Sequence, residues 1–187
     1  MNEMLIIILK TITDVYSGML VIRVLLQLVQ ADFYNPVSQG IVRICSPLVN
    51  PIGKVLPTLG RLNTAALLAA ILVKWSFYVA VTAFSGILSV EVLAFLALAI
   101  FELLRLLIEI YFWGILILVI FSWVGTPSHP AALLVNQIIS PYMRPFRKYI
   151  PPIGMIDISP MVAIFTLMII RAQLLPAFAG LIRPLFS

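Results

Sequence analysis

The chain of 187 residues is 63% apolar and only 10% charged, with a mean hydropathy of +1.15, which excludes an ordinary soluble globular domain. Its net charge of +5 is not a nucleic-acid signature, because the basic residues are spread along apolar segments and their edges with no aromatic-rich soluble module beside them. The single cysteine, Cys45, excludes an internal disulfide and any cysteine-based metal site, and reads as filler of apolar space.

The first apolar stretch, residues 4–30, begins near Glu3 rather than a basic region and outruns a signal-peptide core, so it predicts a retained membrane span. A second span is predicted over 63–86, with Lys74 the single charge between residues 64 and 90, a third over 104–126, and a fourth over 160–182. Residues 88–103 fit less neatly. They are expected to form an outer interfacial helix, a partner-binding extension, a long helix continuous with the third span, or part of a fifth span that would reverse the C-terminus.

Between the spans lie two related connectors. Residues 35–63 and 129–157 match at an offset of 94: Pro36 with Pro130, Ser46 with Ser140, Pro47 with Pro141, Pro51 with Pro145, Lys54 with Lys148, Pro57 with Pro151 and Gly60 with Gly154. Asn63 meets Asp157. Upstream, Lys10, Asp14 and Tyr16 match Arg105, Glu109 and Tyr111 at an offset of 95. Each repeat therefore reads as span, proline-rich connector, span, and two spans between equivalent points give both repeats the same orientation. The expectation is an all-α membrane protein: a single membrane domain over 1–187 with about four transmembrane helices in two same-orientation repeats, 1–90 and 91–187.

Arg43, Lys54 and Arg61 in the first connector, and Arg144, Arg147 and Lys148 in the second, outnumber Asp32 and Asp157, while the turn near Ser85 and Gly86 has only Glu91 beside it. The positive-inside rule then makes the connectors cytoplasmic and both termini external, with Arg183 a mild counter-signal. Ser46-Pro47 and Ser140-Pro141 each suit a helix start, serine as N-cap and proline at the first position, with another short helix before them. Pro51 and Pro57, like Pro145 and Pro151, would limit the later helix to about two turns. Short apolar helices edged by Arg and Lys are expected to lie in the headgroup plane as a stiff amphipathic platform for anionic lipids or a protein partner. Asp157 or Ser159, followed by Pro160, is expected to cap the last span, as Asn63 or Thr64 caps the second.

Ionisable residues inside spans are functional candidates, here Asp14, Arg23, Lys74, Arg105, Glu109 and Arg171. Counted from the connector side, Arg23 lies roughly 12–15 Å deep, within snorkelling reach, and Lys74 and Arg171 roughly 16–18 Å deep. Arg171 can reach Glu109 across about 7 Å, whereas a Lys74 to Asp14 gap of about 12 Å predicts no direct pair. Lys10 with Asp14, and Arg105 with Glu109, are spaced for local i, i+4 pairs, and Glu102 and Glu91 share the Arg105 face. Two readings stay open: ion pairs that hold the repeats in register, or a polar pathway for ions or protons. The absence of a carboxylate chain and of discontinuous glycine-rich helices weighs against the pathway.

Catalytic signatures are absent from the sequence: it has no P-loop, GxGxxG, HExxH or CxxC, and no serine is placed with a base and an acid. The sole histidine, His129, stands opposite Asn35 of the other repeat and reads as a helix cap. No enzyme activity and no cofactor are expected.

The doubled pattern SP-x3-P-x2-K-x2-P, with PPIGMIDISP leading into the last span, resembles the YggT family of bacterial inner-membrane proteins, also called YlmG-like, over nearly the whole chain. Repeat one departs from it, since Asn63-Thr64-Ala65-Ala66 replaces the acidic DISP, so a role needing a carboxylate there falls to Asp157 alone. The resemblance implies a multi-pass protein of the bacterial inner membrane. Relatives have been associated with osmotic or salt tolerance, cation uptake, cell-division regions and, in plastids, thylakoid complex maturation or nucleoid organisation. A scaffold or accessory protein, acting with a membrane-protein partner or as a homo-oligomer and not on nucleic acid, accommodates most of these. A small ion-transport subunit is the alternative.

Overall fold

The computed structural model describes residues 3–84, 92–125, 128–152 and 157–182. Their regular structure is helical: α1 (Glu3–Leu28), α2 (Pro36–Gly53), α3 (Thr64–Phe84), α4 (Val92–Val124), α5 (Pro130–Tyr149), α6 (Ser159–Ile169), a π-helical turn (Ile170–Leu174) and α7 (Leu175–Ile182). Among the described residues, four stretches are long and apolar enough to cross a membrane: α1, α3, Ala94–Val124 of α4, and Ser159–Gly180 through α6 and α7. Helices suit that environment because each satisfies its own backbone groups where water cannot.

The sequence left residues 88–103 open between several arrangements. Residues 92–103 continue without a break into the third span, which settles them as part of α4; residues 88–91, Glu91 among them, lie outside the described residues. Neither proline nor glycine interrupts the run from Val92 until Gly114, so nothing stops the helix. At roughly 50 Å it exceeds the hydrocarbon thickness, which helices accommodate by tilting or by extending past the core.

The connectors differ from the expected pairs of short helices: each is one helix, with Pro47 and Pro51 inside α2 and Pro141 and Pro145 inside α5. Their starts lie earlier than the Ser-Pro pairs. Asn35 caps α2 by accepting from the Val37 N–H (2.9 Å), His129 caps α5 through Nδ1 from the Ala131 N–H (3.2 Å), and Pro36 and Pro130 take the first helical position. Ser46, displaced from a capping role, donates its hydroxyl to the Val42 carbonyl at 2.6 Å. The two connector helices begin side by side. Asn35 Nδ2 donates to the Pro130 carbonyl (2.7 Å), and the Asp32 N–H donates to Gln137 Oε1 (3.0 Å).

One core runs through all of this. α3 turns Ala65, Ala66, Ala69 and Ala70 inward, and these small side chains let its backbone approach α1, where Leu20, Val24 and Leu25 are buried. On α4, Gly114 does the same for α5: a β-carbon there would lie 2.6 Å from Ile139 Cδ1. After α2 the chain reverses through a tight turn between Leu59 and Leu62, where Gly60 adopts φ +60°. Asn63 then caps α3 by accepting from the Ala66 N–H at 2.9 Å.

Candidate functional site

Two ion pairs cross between spans. Lys74 on α3, only 3% exposed, pairs directly with Asp14 on α1, and Lys10 lies 3.8 Å from the other carboxylate oxygen. This corrects the expectation that Lys74 and Asp14 stand too far apart. From the observed helix ends, Asp14 lies roughly 21 Å along α1 and Lys74 roughly 15 Å along α3, and an extended lysine stem covers the difference. Arg171, in the π-helical turn, reaches Glu109 on α4 with Nη2 to Oε1 at 3.1 Å. Each half of the chain thus joins an acid on its first span to a base on its second.

Arg105 departs from the expected pairing with Glu109 and lies 3.7 Å from Glu102 instead. The Glu109 carboxylate faces Arg171, so Arg105 takes the acid one turn earlier on the same face. Lys10, Asp14, Lys74, Glu102, Arg105 and Glu109 together line a cavity of about 180 Å³ between α1, α3 and α4. Three bases and three acids balance there, so the arrangement locks the spans together without leaving a net charge among those six. Among the described residues no cluster of His, Cys, Asp and Glu is suited to hold a metal ion.

Arg23 follows a different course. Rather than ending among headgroups, its guanidinium donates from Nη1 to the Val42 carbonyl (2.9 Å) and lies 3.3 Å from the Ser46 hydroxyl. Pro47 has no N–H to offer the Arg43 carbonyl, which loosens this turn, and Arg23, bonded to the neighbouring Val42 carbonyl, holds α2 to α1 there. Sequence reasoning missed this staple, and missed Gln137 at the connector junction. An arginine one helix-length from a proline pair was the signal for the first.

The connector residues separate into two groups. Arg43, Lys54 and Pro57 of the first connector, and Arg144, Lys148 and Pro151 of the second, are exposed. Ser46 and Ser140 are half-buried and Cys45 is fully buried. Arg147 bridges from α5 to Asp157 at 3.6 Å, and Asp157 accepts from the Ser159 N–H at 2.9 Å; the N-cap position of the last span is Ile158, which has no side-chain cap, so Asp157 supports the helix start from one residue before that position.

Partial burial pushes the Asp157 carboxyl up, but hydrogen bonds from Ser159 and the Arg147 guanidinium outweigh it, so its pKa lies below the usual carboxylate value. A depressed folded-state pKa contributes stability that is full above the unfolded value near ~3.9 and is lost as pH falls through the folded one. Hydrogen-exchange protection at the start of α6, corrected for the intrinsic rate at each pH, is therefore expected to fall below about pH 4, and Asp157→Asn is expected to remove that acid dependence.

Comparison with known proteins agrees with the architecture. A match to the CCB3/YggT family covers residues 2–90 and 97–178, one segment for each span, connector and span set. An uncharacterized protein of Pseudomonas aeruginosa is 38% identical over 172 residues, covering 91% of this chain and 87% of that one. The uncharacterized protein YggT of Escherichia coli is 32% identical over 180 residues, 95% of this chain and 94% of its own. A further uncharacterized protein, from Vibrio alginolyticus, is 34% identical over 163 residues, 87% and 88% of the respective chains. No solved structure matches significantly. With both halves covered, and with relatives this similar along nearly their full length, the chain belongs to the CCB3/YggT family.

Proposed function

We propose that this chain is a non-enzymatic scaffold or accessory protein of the bacterial inner membrane, whose two connector helices lie on the cytoplasmic side and engage anionic headgroups and a membrane-protein partner. The observation that carries the reading is the contrast between two sets of charges. Within the spans, Lys74 and Arg171 are met by acids and Arg23 by the backbone of α2. On the connectors, Arg43, Lys54, Arg61, Arg144 and Lys148 stay exposed. Charges committed inside the bundle serve rigidity, and exposed ones on stiff helices serve recognition. The positive-inside rule supports the cytoplasmic side for both connectors, and their shared junction supports one orientation for both repeats. A link to osmotic or salt tolerance rests on the family resemblance.

The test is recovery of a tagged chain with its partners from mildly solubilised membranes, for wild type and for the combined Arg144→Ala, Arg147→Ala and Lys148→Ala variant. A partner lost in the variant is the expected result. The cavity lined by Lys10, Asp14, Lys74, Glu102, Arg105 and Glu109 favours a second reading, a small ion-transport subunit. Recovery of the chain without a partner, with cation flux in liposomes sensitive to Glu109→Gln, is the outcome that would favour it.

A further inference from the structure

The two halves of the chain can be compared position by position, and one of their differences opens a cleft. In the first half, Leu20, Val24, Val49, Asn63 and Ala66 are all buried, and Arg23 closes the space between α1 and α2 through its bonds to Val42 and Ser46. Their counterparts at offsets of 94 and 95 are Ile115, Val119, Met143, Asp157 and Pro160, with Leu118 standing where Arg23 would be. Instead of packing shut, this second set encloses a cleft of about 370 Å³ between α4, α5 and the start of α6, within the size range of small-molecule sites (~300–1,000 Å³).

The cleft is amphipathic in a particular way. Ile115 and Met143 form a buried apolar floor, with Leu118 and Val119 beside them. Arg147 and Asp157 stand at its polar side, their side chains 48% and 45% exposed and their charges 3.6 Å apart. That is longer than a charge-assisted hydrogen bond of roughly 2.7–2.9 Å, so each retains capacity for another partner. Trp123, 85% exposed in the last turn of α4, adds an aromatic side chain of the kind found at headgroup level.

We infer that this cleft binds a membrane phospholipid with a primary-amine headgroup, the phosphoethanolamine class. Its phosphate meets Arg147, its ammonium meets Asp157, and one acyl chain lies along the floor. Charge complementarity selects the class. A purely anionic headgroup would satisfy Arg147 but bring no ammonium to offset its phosphate beside the Asp157 carboxylate, and a quaternary ammonium has no N–H to donate to that carboxylate. The inference rests on the reading of the connectors as headgroup-level helices, and it is independent of any protein partner.

The test uses the purified full-length chain exposed to an equimolar mixture of phosphatidylethanolamine, phosphatidylcholine and phosphatidylglycerol with identical acyl chains, with bound lipid identified by native mass spectrometry. Several-fold preferential retention of phosphatidylethanolamine is expected. Asp157→Asn keeps a side-chain oxygen able to accept from the Ser159 N–H, and is expected to abolish the preference over phosphatidylglycerol. Leu118→Arg transplants the side chain that closes the first half, and is expected to remove the retained lipid. Equal retention of the three lipids by wild type, a phosphatidylglycerol preference, or a preference unchanged in Asp157→Asn overturns the proposal. Circular dichroism checks folding, and Asp157→Asn decides the matter if Leu118→Arg misfolds. Partner recovery with Asp157→Asn, which leaves Arg144, Arg147 and Lys148 in place, separates failure of lipid selectivity from failure of the scaffold reading.

Discussion

Replacing Asp14 with alanine is expected to destabilise the bundle by about 3 kcal/mol, the lower end of the cost of stranding a buried charge, because Lys74 is buried but Asp14 is itself 36% exposed. Lys74 is the reason. Its ammonium is buried well inside α3, too deep for its side chain to reach the connector-side surface, and without Asp14 it would stand uncompensated in a medium that solvates charge poorly. Lys10 would lose the same carboxylate at little cost, because it is half exposed. Adding Lys74→Met to Asp14→Ala is expected to recover most of the loss, since the pair can be exchanged for apolar packing of similar length. Glu109→Ala is expected to cost less than Asp14→Ala, because Arg171 is half exposed and can find other partners. Reversible unfolding of the four proteins in one detergent or bicelle system measures all of these. An Asp14→Ala protein as stable as wild type would show that Lys74 is not held by this pair.

Gly114→Val is the second substitution with a large expected effect, a loss of about 3 kcal/mol at the upper end of overpacking costs. The smallest added side chain already brings a β-carbon 2.6 Å from Ile139 Cδ1 and 2.9 Å from its Cγ1, and the fully buried Ile139 side chain has to shift to admit it. The strain would push α5 away from α4, where the second connector meets its own span. Shortening the obstruction with Ile139→Val is expected to rescue Gly114→Ala more completely than Gly114→Val, a ranking that thermal unfolding of the double variants can read directly.

The spans were legible in the sequence because hydropathy alone marks them, and prolines and glycines recurring in one register pointed to two repeats from residue spacing. Charge geometry was less legible. Depth along a helix can be counted, but the face toward which Lys74 extends depends on how closely the alanines of α3 let α1 approach, and that is a property of packing. The connector starts were misjudged for a related reason. Ser46-Pro47 carries a strong capping signal, yet Asn35-Pro36 offers one earlier, and two prolines inside a helix are tolerated where neighbouring donors such as Arg23 steady the loosened turn. The cleft beside Arg147 could not be read from one half alone. It emerges only when the buried Leu20, Val24 and Asn63 are compared with their counterparts Ile115, Val119 and Asp157.

The central claim is that the exposed basic face of the connectors recruits a partner while the paired charges in the spans hold the frame. The most direct measurement is quantitative mass spectrometry of complexes recovered on a C-terminally tagged chain, comparing wild type, the Arg144, Arg147 and Lys148 triple alanine variant, and the doubly apolar Asp14→Ala, Lys74→Met variant. The account predicts a specific protein recovered with wild type and with the doubly apolar variant, and lost from the triple variant although that chain inserts normally. Recovery of the same protein with all three chains, or its loss only when the Asp14 and Lys74 pair is removed, would contradict the account.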